Sequence, residues 1–165
     1  MTGSQVIDAE EDRHKLVVEY KDALQPADFY HNFKQLGIRS VQLIPHLEFD
    51  DRGDLTAASV TAELWGKFLI ALFECWVRAD ISRISIELFD ATLQKWCGSE
   101  NPQPRRGCQA CDWHRLCPHA REETPDSVLC AGYQAFYSYS APHMRVMRDL
   151  IKQHRSPMEL MTMLR

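Results

Sequence analysis

The chain has 165 residues, 45% of them hydrophobic and 25% charged, with a formal charge of −4. That length holds one ordinary domain, or one core with a small appendage, and average globular composition excludes wholesale disorder. The acidic balance argues against a dedicated polyanion binder, yet the charge is uneven. Residues 1–100 carry 10 Lys and Arg against 17 Asp and Glu, while residues 101–165 carry 9 against 6, so the C-terminal third is mildly basic.

The opening "MTGSQVIDAEEDRHK" is polar and acidic with no apolar run, so no signal peptide is expected and residues 1–14 read as a tail. "KLVVEY" (Lys15–Tyr20) is β-branched and apolar enough for a strand. "PADFYHNFKQLG" then reads as a helix: Pro26 near its first turn, Phe29, Phe33 and Leu36 at helical spacing, and Gly37 as the stop. "SVQLI" (Ser40–Ile44) is a second strand closed by Pro45. The acidic "HLEFDDRGD" after it, with Glu48, Asp50, Asp51 and Asp54, reads as a solvated loop, although it lies at the end of a strand where α/β sites form. Val60–Arg78 is a long amphipathic helix, with Leu64, Phe68, Leu72 and Trp76 four apart along one face and Trp65 and Leu69 beside them. "RISIELF" from Arg83 predicts a third strand running into a short helix near Ala91–Trp96. The longest apolar run, "FLIALF", is far too short to cross a bilayer.

Strand, helix, strand, helix, strand with short connections is the order of a βαβαβ unit, so residues 15–96 are expected to form an α/β unit with a parallel sheet. Three strands cannot close a barrel. The unit is an open sheet, or a piece of something larger. From Cys97 the character changes. "CGSENPQPRRGC" reads as a linker, and a thiol-rich segment follows. "AGYQAFYSYSAPHMRVMRDLIKQH" then supplies helix, with Pro142 expected to divide it and Met144, Met147, Leu150 and Ile151 forming an apolar stripe. Residues 97–155 thus form a small Cys-rich helical segment. The last ten, 156–165, read as a tail, either a frayed or partner-seeking helix or simply more core.

Cys108, Cys111, Cys117 and Cys130 have the spacing C-x2-C-x5-C-x12-C. With no export signal a cytoplasmic location is the default; thiols stay reduced there, and clustered cysteines read as ligands rather than disulfide partners. A C-x2-C pair converges both sulfurs on one metal, and two further thiols complete a tetrathiolate suited to a [4Fe–4S] cluster, with zinc as the alternative. Zinc ribbons usually carry a second C-x2-C, absent here, which leans toward iron–sulfur. His114 and His119 lie in the same loop as alternative zinc ligands. Cys75, inside the long helix, reads as an inert buried thiol, and Cys97 as a loop residue.

"CQACDWHRLCPHAR" with "VLCAGYQAFYSYSAPHM" resembles the end of the SPASM domain of the anaerobic sulfatase-maturating enzymes, which are radical S-adenosylmethionine (SAM) proteins that oxidise a cysteine or serine of a sulfatase. "FYHNFKQLGIRSVQLIPHLE" resembles a late-barrel segment of the same family. The resemblance runs from about Val17 to His154. It implies a partial, unclosed radical SAM barrel followed by a truncated SPASM-like segment. It also implies that Cys108, Cys111, Cys117 and Cys130 match the ligands of the family's second auxiliary cluster. The ligand position for the first auxiliary cluster is Arg121, and the segment carrying its other ligands and the catalytic Asp is missing, with Cys97 and Gly98 as its one relic.

The radical-generating C-x3-C-x2-C occurs nowhere in the sequence. SAM binding and catalysis by this chain alone are therefore not expected. The expectation is a non-catalytic accessory or regulatory protein with one cluster, partnered by a sulfatase or a full-length maturase. The alternative is a DNA-binding regulator using Arg105, Arg106, Arg115, Arg145, Arg148, Lys152 and Arg155, without a helix-turn-helix signature in support.

Overall fold

Three short parallel strands, in the order β1-β2-β3, form an open sheet in the computed structural model, which describes residues 13–98, 104, 106–120 and 124–164. β1 (His14–Val18) pairs with β2 (Ser40–Pro45) from His14 opposite Val41 to Val18 opposite Pro45, and β2 pairs with β3 (Ser85–Ile86). The expected α/β architecture with an unclosed parallel sheet is what the structure shows.

The connections follow from local chemistry. A one-turn helix, α1 (Tyr20–Ala23), leads into α2 (Pro26–Gln35), which places Pro26 at its first position. Gly37 ends the turn after α2 at φ +75°, a backbone conformation that costs glycine no Cβ clash. α3 (Ala62–Ala79) starts where the Thr61 side chain accepts a hydrogen bond from the Leu64 amide at 3.2 Å. Its buried face, Trp65, Phe68, Leu69, Leu72, Phe73, Trp76 and Val77, is the centre of the core. The Trp76 indole has its own acceptor, Ile84 O at 2.8 Å, so the ring is buried without leaving a donor unpaired.

The third strand is shorter than expected. It spans two residues, and the chain turns helical at Glu87 to form α4 (Glu87–Trp96). Glu87 and Asp90 in the first turn favour the positive helix end there, and Phe89 and Thr92, three apart, are buried on one face. The second correction concerns α5 (Cys130–Lys152), which runs unbroken through Pro142 rather than being divided by it. Proline removes one backbone bond, and the buried row Tyr133, Phe136, Tyr137, Met144 and Met147 on both sides of it packs into the same core. Ile151, expected in the stripe, is 37% exposed. In the last ten residues, α6 (Glu159–Met163) buries Leu160 and Met161 against α3 and α5, in line with the core reading of that segment.

The most extensive packing in the protein is α3 against α5. The helices meet at two glycines. A Cβ at Gly132 would lie 2.4 Å from Ala62 O, and one at Gly66 would lie 3.1 Å from Gly132 Cα. That close approach docks the start of α5, and with it the thiol segment, directly on the helix beside the sheet. No helix of the described residues is long and apolar enough to cross a membrane.

Candidate metal centre

Among the described residues from Arg106 to α5, the regular structure is three short 3-10 turns, Arg106–Cys108, Pro118–Ala120 and Pro125–Leu129. Its shape comes from backbone hydrogen bonds that start or end at the cysteines. Cys111 N donates to Cys108 O at 3.1 Å, Cys117 N to Trp113 O at 3.1 Å, and Ala120 N to Cys117 O at 3.2 Å. Cys130 is the first residue of α5, at the positive end of a long helix, where thiolate charge is favoured.

These turns bring the four thiols to one place. Cys108, Cys111, Cys117 and Cys130 all line a single cavity of about 80 Å3, together with His114, His119 and the α5 residues Gln134 and Tyr137. All four are free thiols, and Cys108, Cys111 and Cys117 are half-buried. Two donors address Cys111 Sγ: Gln134 Nε2 at 3.3 Å and the Trp113 amide at 3.4 Å. Cys117 Sγ lies 3.5 Å from His119 Nδ1. Burial pushes the Cys117 thiol up, but the hydrogen bonds and charge of His119 outweigh it and hold the group below the ordinary thiol value.

On the cavity wall His114 Nδ1 has no hydrogen-bond partner among the described residues, while the fully buried Tyr137 hydroxyl is hydrogen-bonded with the Cys117 thiol and helps to lower that thiol's proton affinity. Burial, and then the nearby Cys117 thiol, push the Tyr137 hydroxyl well above the ordinary tyrosine range, so it stays a proton donor. The tetrathiolate donor set fits a [4Fe–4S] cluster or zinc. Among the described residues, however, no group of three or more His, Cys, Asp or Glu is drawn close enough to hold a metal ion. The thiols share a cavity without standing at bonding distance.

Sequence reasoning missed Gln134 and Tyr137. The signal was available, since positions 130, 134 and 137 fall on one helical face, four and then three residues apart. Arg121 and Arg105 lie outside the described residues. Cys97 is exposed, as a loop residue should be, and Cys75 is half-buried rather than enclosed. The acidic loop after β2 is closed on itself: Asp50 Oδ1 accepts from the Arg52 and Asp54 amides at 2.9 Å each, and Glu48 Oε1 meets His46 Nε2 at 3.0 Å.

A second cavity, of about 280 Å3, shares the Cys117 and His119 wall and opens toward Gln42, Glu87, Lys95 and Arg115.

Comparison with known proteins places this architecture. No family model matches the chain. It is 97% identical to the YidF protein of Escherichia coli (strain K12) over the full length of both. It is 34% identical to the serine-type anaerobic sulfatase-maturating enzyme of Bacteroides thetaiotaomicron over 63% of this chain and 27% of that enzyme. Among solved structures, native anSMEcpe with bound AdoMet and the Cp18Cys peptide superposes with a TM-score of 0.65 and 18% identity, covering 83% of this chain and 57% of that one. Native anSMEcpe with bound AdoMet superposes at 0.63 with 17% identity over the same shares. The chain thus spans about a quarter of the matched enzyme and little more than half of the solved chains, whose likeness shows the fold.

Proposed function

We propose, for a chain that belongs with the Escherichia coli YidF protein and is a partial homologue of the anaerobic sulfatase-maturating enzymes, a non-catalytic accessory or regulatory role built on one metal centre. Cys108, Cys111, Cys117 and Cys130 are its ligands, and a [4Fe–4S] cluster is the group they hold, with zinc as the alternative. When bound, a cluster supplies one-electron redox chemistry and sensitivity to oxygen. The observation that carries the reading is that all four thiols line one cavity, with His114 Nδ1 unpartnered beside them.

The chain's own residues have definable tasks. Gln134 and the Trp113 amide direct donors at the Cys111 sulfur and orient it on the cavity wall. His119 lowers the proton affinity of Cys117, so that thiol gives up its proton to a metal more readily. The Gly66–Gly132 contact docks the start of α5, on which Cys130 is the first residue, against α3, which would couple metal binding to the packing of these helices.

No catalysis is assigned, because the sequence holds no C-x3-C-x2-C set to bind and cleave SAM. The partner class that fits is a sulfatase or a full-length maturase, and the site would work in a reducing, cytoplasmic setting. Affinity capture of the tagged chain from anaerobically grown cells tests this. Stoichiometric recovery of a sulfatase or maturase, lost in a Cys111→Ala variant, supports the role. SAM cleavage by the isolated chain, or recovery of neither partner, contradicts it.

A further inference from the structure

Two donors meet at the Cys111 sulfur, and they have different origins. The Trp113 amide, 3.4 Å from Sγ, comes from the thiol segment itself and follows from the turn after Cys111. Gln134 Nε2, at 3.3 Å, stands 23 residues away in sequence and reaches the sulfur from α5. The helix fixes where that side chain stands. Cys130 and Gln134 are four apart, so a candidate ligand and a donor lie one turn apart on the same face. Gly132 lies between them, with no room for a Cβ against Ala62 and Gly66, which seats this turn of α5 on α3. Gln134 is half-buried on the wall of the cavity of about 80 Å3 that Cys108, Cys111, Cys117 and Cys130 share. A leucine there would continue the helix and cover the wall equally well. What the amide adds is a hydrogen bond to a ligand sulfur.

Such a bond has a definite effect on a centre that changes charge. Adding one electron to an iron–sulfur cluster raises the negative charge that its sulfurs carry. An N–H aimed at one of them therefore favours the reduced state over the oxidised one and raises the reduction potential. The effect is stronger at a half-buried sulfur than at one in water. We propose that Gln134 is a positioning residue for the centre, setting through its hydrogen bond to Cys111 the potential at which the cluster accepts an electron. The role rests on the reading of the four thiols as cluster ligands. It makes the redox poise of the centre a property of α5 as well as of the thiol segment.

Redox titration of the full chain, purified without oxygen and reduced stepwise with dithionite, tests this. Dithionite gives one electron and is oxidised, the cluster takes it, and no bond to the chain forms or breaks. Gln134→Leu keeps the size of the side chain and removes the donor. It is expected to lower the equilibrium constant for reduction about threefold to tenfold, or roughly 30–60 mV at about 59 mV per tenfold for one electron. Gln134→Glu sets a carboxylate beside the sulfur and is expected to lower it further than Gln134→Leu. Iron and acid-labile sulfide in the same samples are expected to match the parent, since no ligand is touched. A role in packing alone would not order the potentials this way. Equal potentials in parent, Gln134→Leu and Gln134→Glu overturn the role and leave the cluster reading standing, whether or not cluster content falls. A parent chain without iron overturns both.

Discussion

Asp80, at the end of α3, is 6% exposed, and its charge rests on two side chains. The Tyr30 hydroxyl donates to Oδ2 at 2.5 Å, and Lys34 Nζ approaches the same oxygen at 2.8 Å. Burial, and then Asp80 itself, push the Tyr30 hydroxyl far above the ordinary tyrosine range, so it remains a donor at every pH at which the protein folds. Lys34 is partly exposed and screened, so the tyrosine is the stronger tie. Tyr30→Phe is expected to lower unfolding free energy by about 1.5–3 kcal/mol, the usual worth of a hydrogen bond to a charged group, in urea denaturation at neutral pH. His143 predicts a pH dependence. Burial lowers its pKa, with Arg78 acting the same way and Glu74 opposing, and its ring packs on Phe73 and Tyr139. The folded state therefore holds the imidazole neutral. Stability is fully present above the ordinary histidine value of about 6.5 and falls as acid protonates the unfolded chain first. His143→Gln is expected to flatten that part of the stability curve between pH 7 and pH 5. Neither feature was legible in the sequence, because Tyr30 and Asp80 stand 50 residues apart and only the packing of α2 on α3 joins them.

The elements themselves were more legible, because their signals are local. Pro26, Gly37 and the four-residue rhythm from Leu64 to Trp76 mark α2 and α3 closely. The failures came where tertiary packing overrode a local cue. Pro142 reads as a break, but the buried rows before and after it pack into one core and hold α5 together. "RISIELF" alternates like a strand, yet Phe89 and Thr92 are buried in a helix. The glycine crossing of α3 and α5 was also invisible, since Gly66 and Gly132 carry no pattern until the helices meet. It yields a direct prediction at this scale. Gly132→Ala sets a methyl 2.4 Å from a backbone carbonyl that cannot swing aside, so the helices must part. The expected cost is about 1–3 kcal/mol or more, with weakened metal retention because Cys130 moves with α5. Thermal unfolding and metal content of the same sample check both halves.

At the scale of the molecule, the parallel sheet with open edges and the thiol segment sit on one continuous core, from Val18 on β1 to Leu160 on α6. The open sheet could be read from the count of strands, and the candidate ligands from the C-x2-C-x5-C-x12-C spacing. The cavity that collects them could not, because it is made by turns whose geometry depends on the docking of α5. Metal binding to such a loop-rich segment is folding free energy, so chelation or Cys108→Ala is expected to loosen residues 106–130 and leave α3 protected in hydrogen exchange. The most direct measurement is the iron, acid-labile sulfide and zinc content of the full chain purified without oxygen. About four irons and about four sulfides per chain, abolished in Cys108→Ala, are predicted for the tetrathiolate. One zinc without sulfide contradicts the cluster, and neither metal above trace, with Cys108→Ala unfolding like the parent, contradicts the metal centre itself.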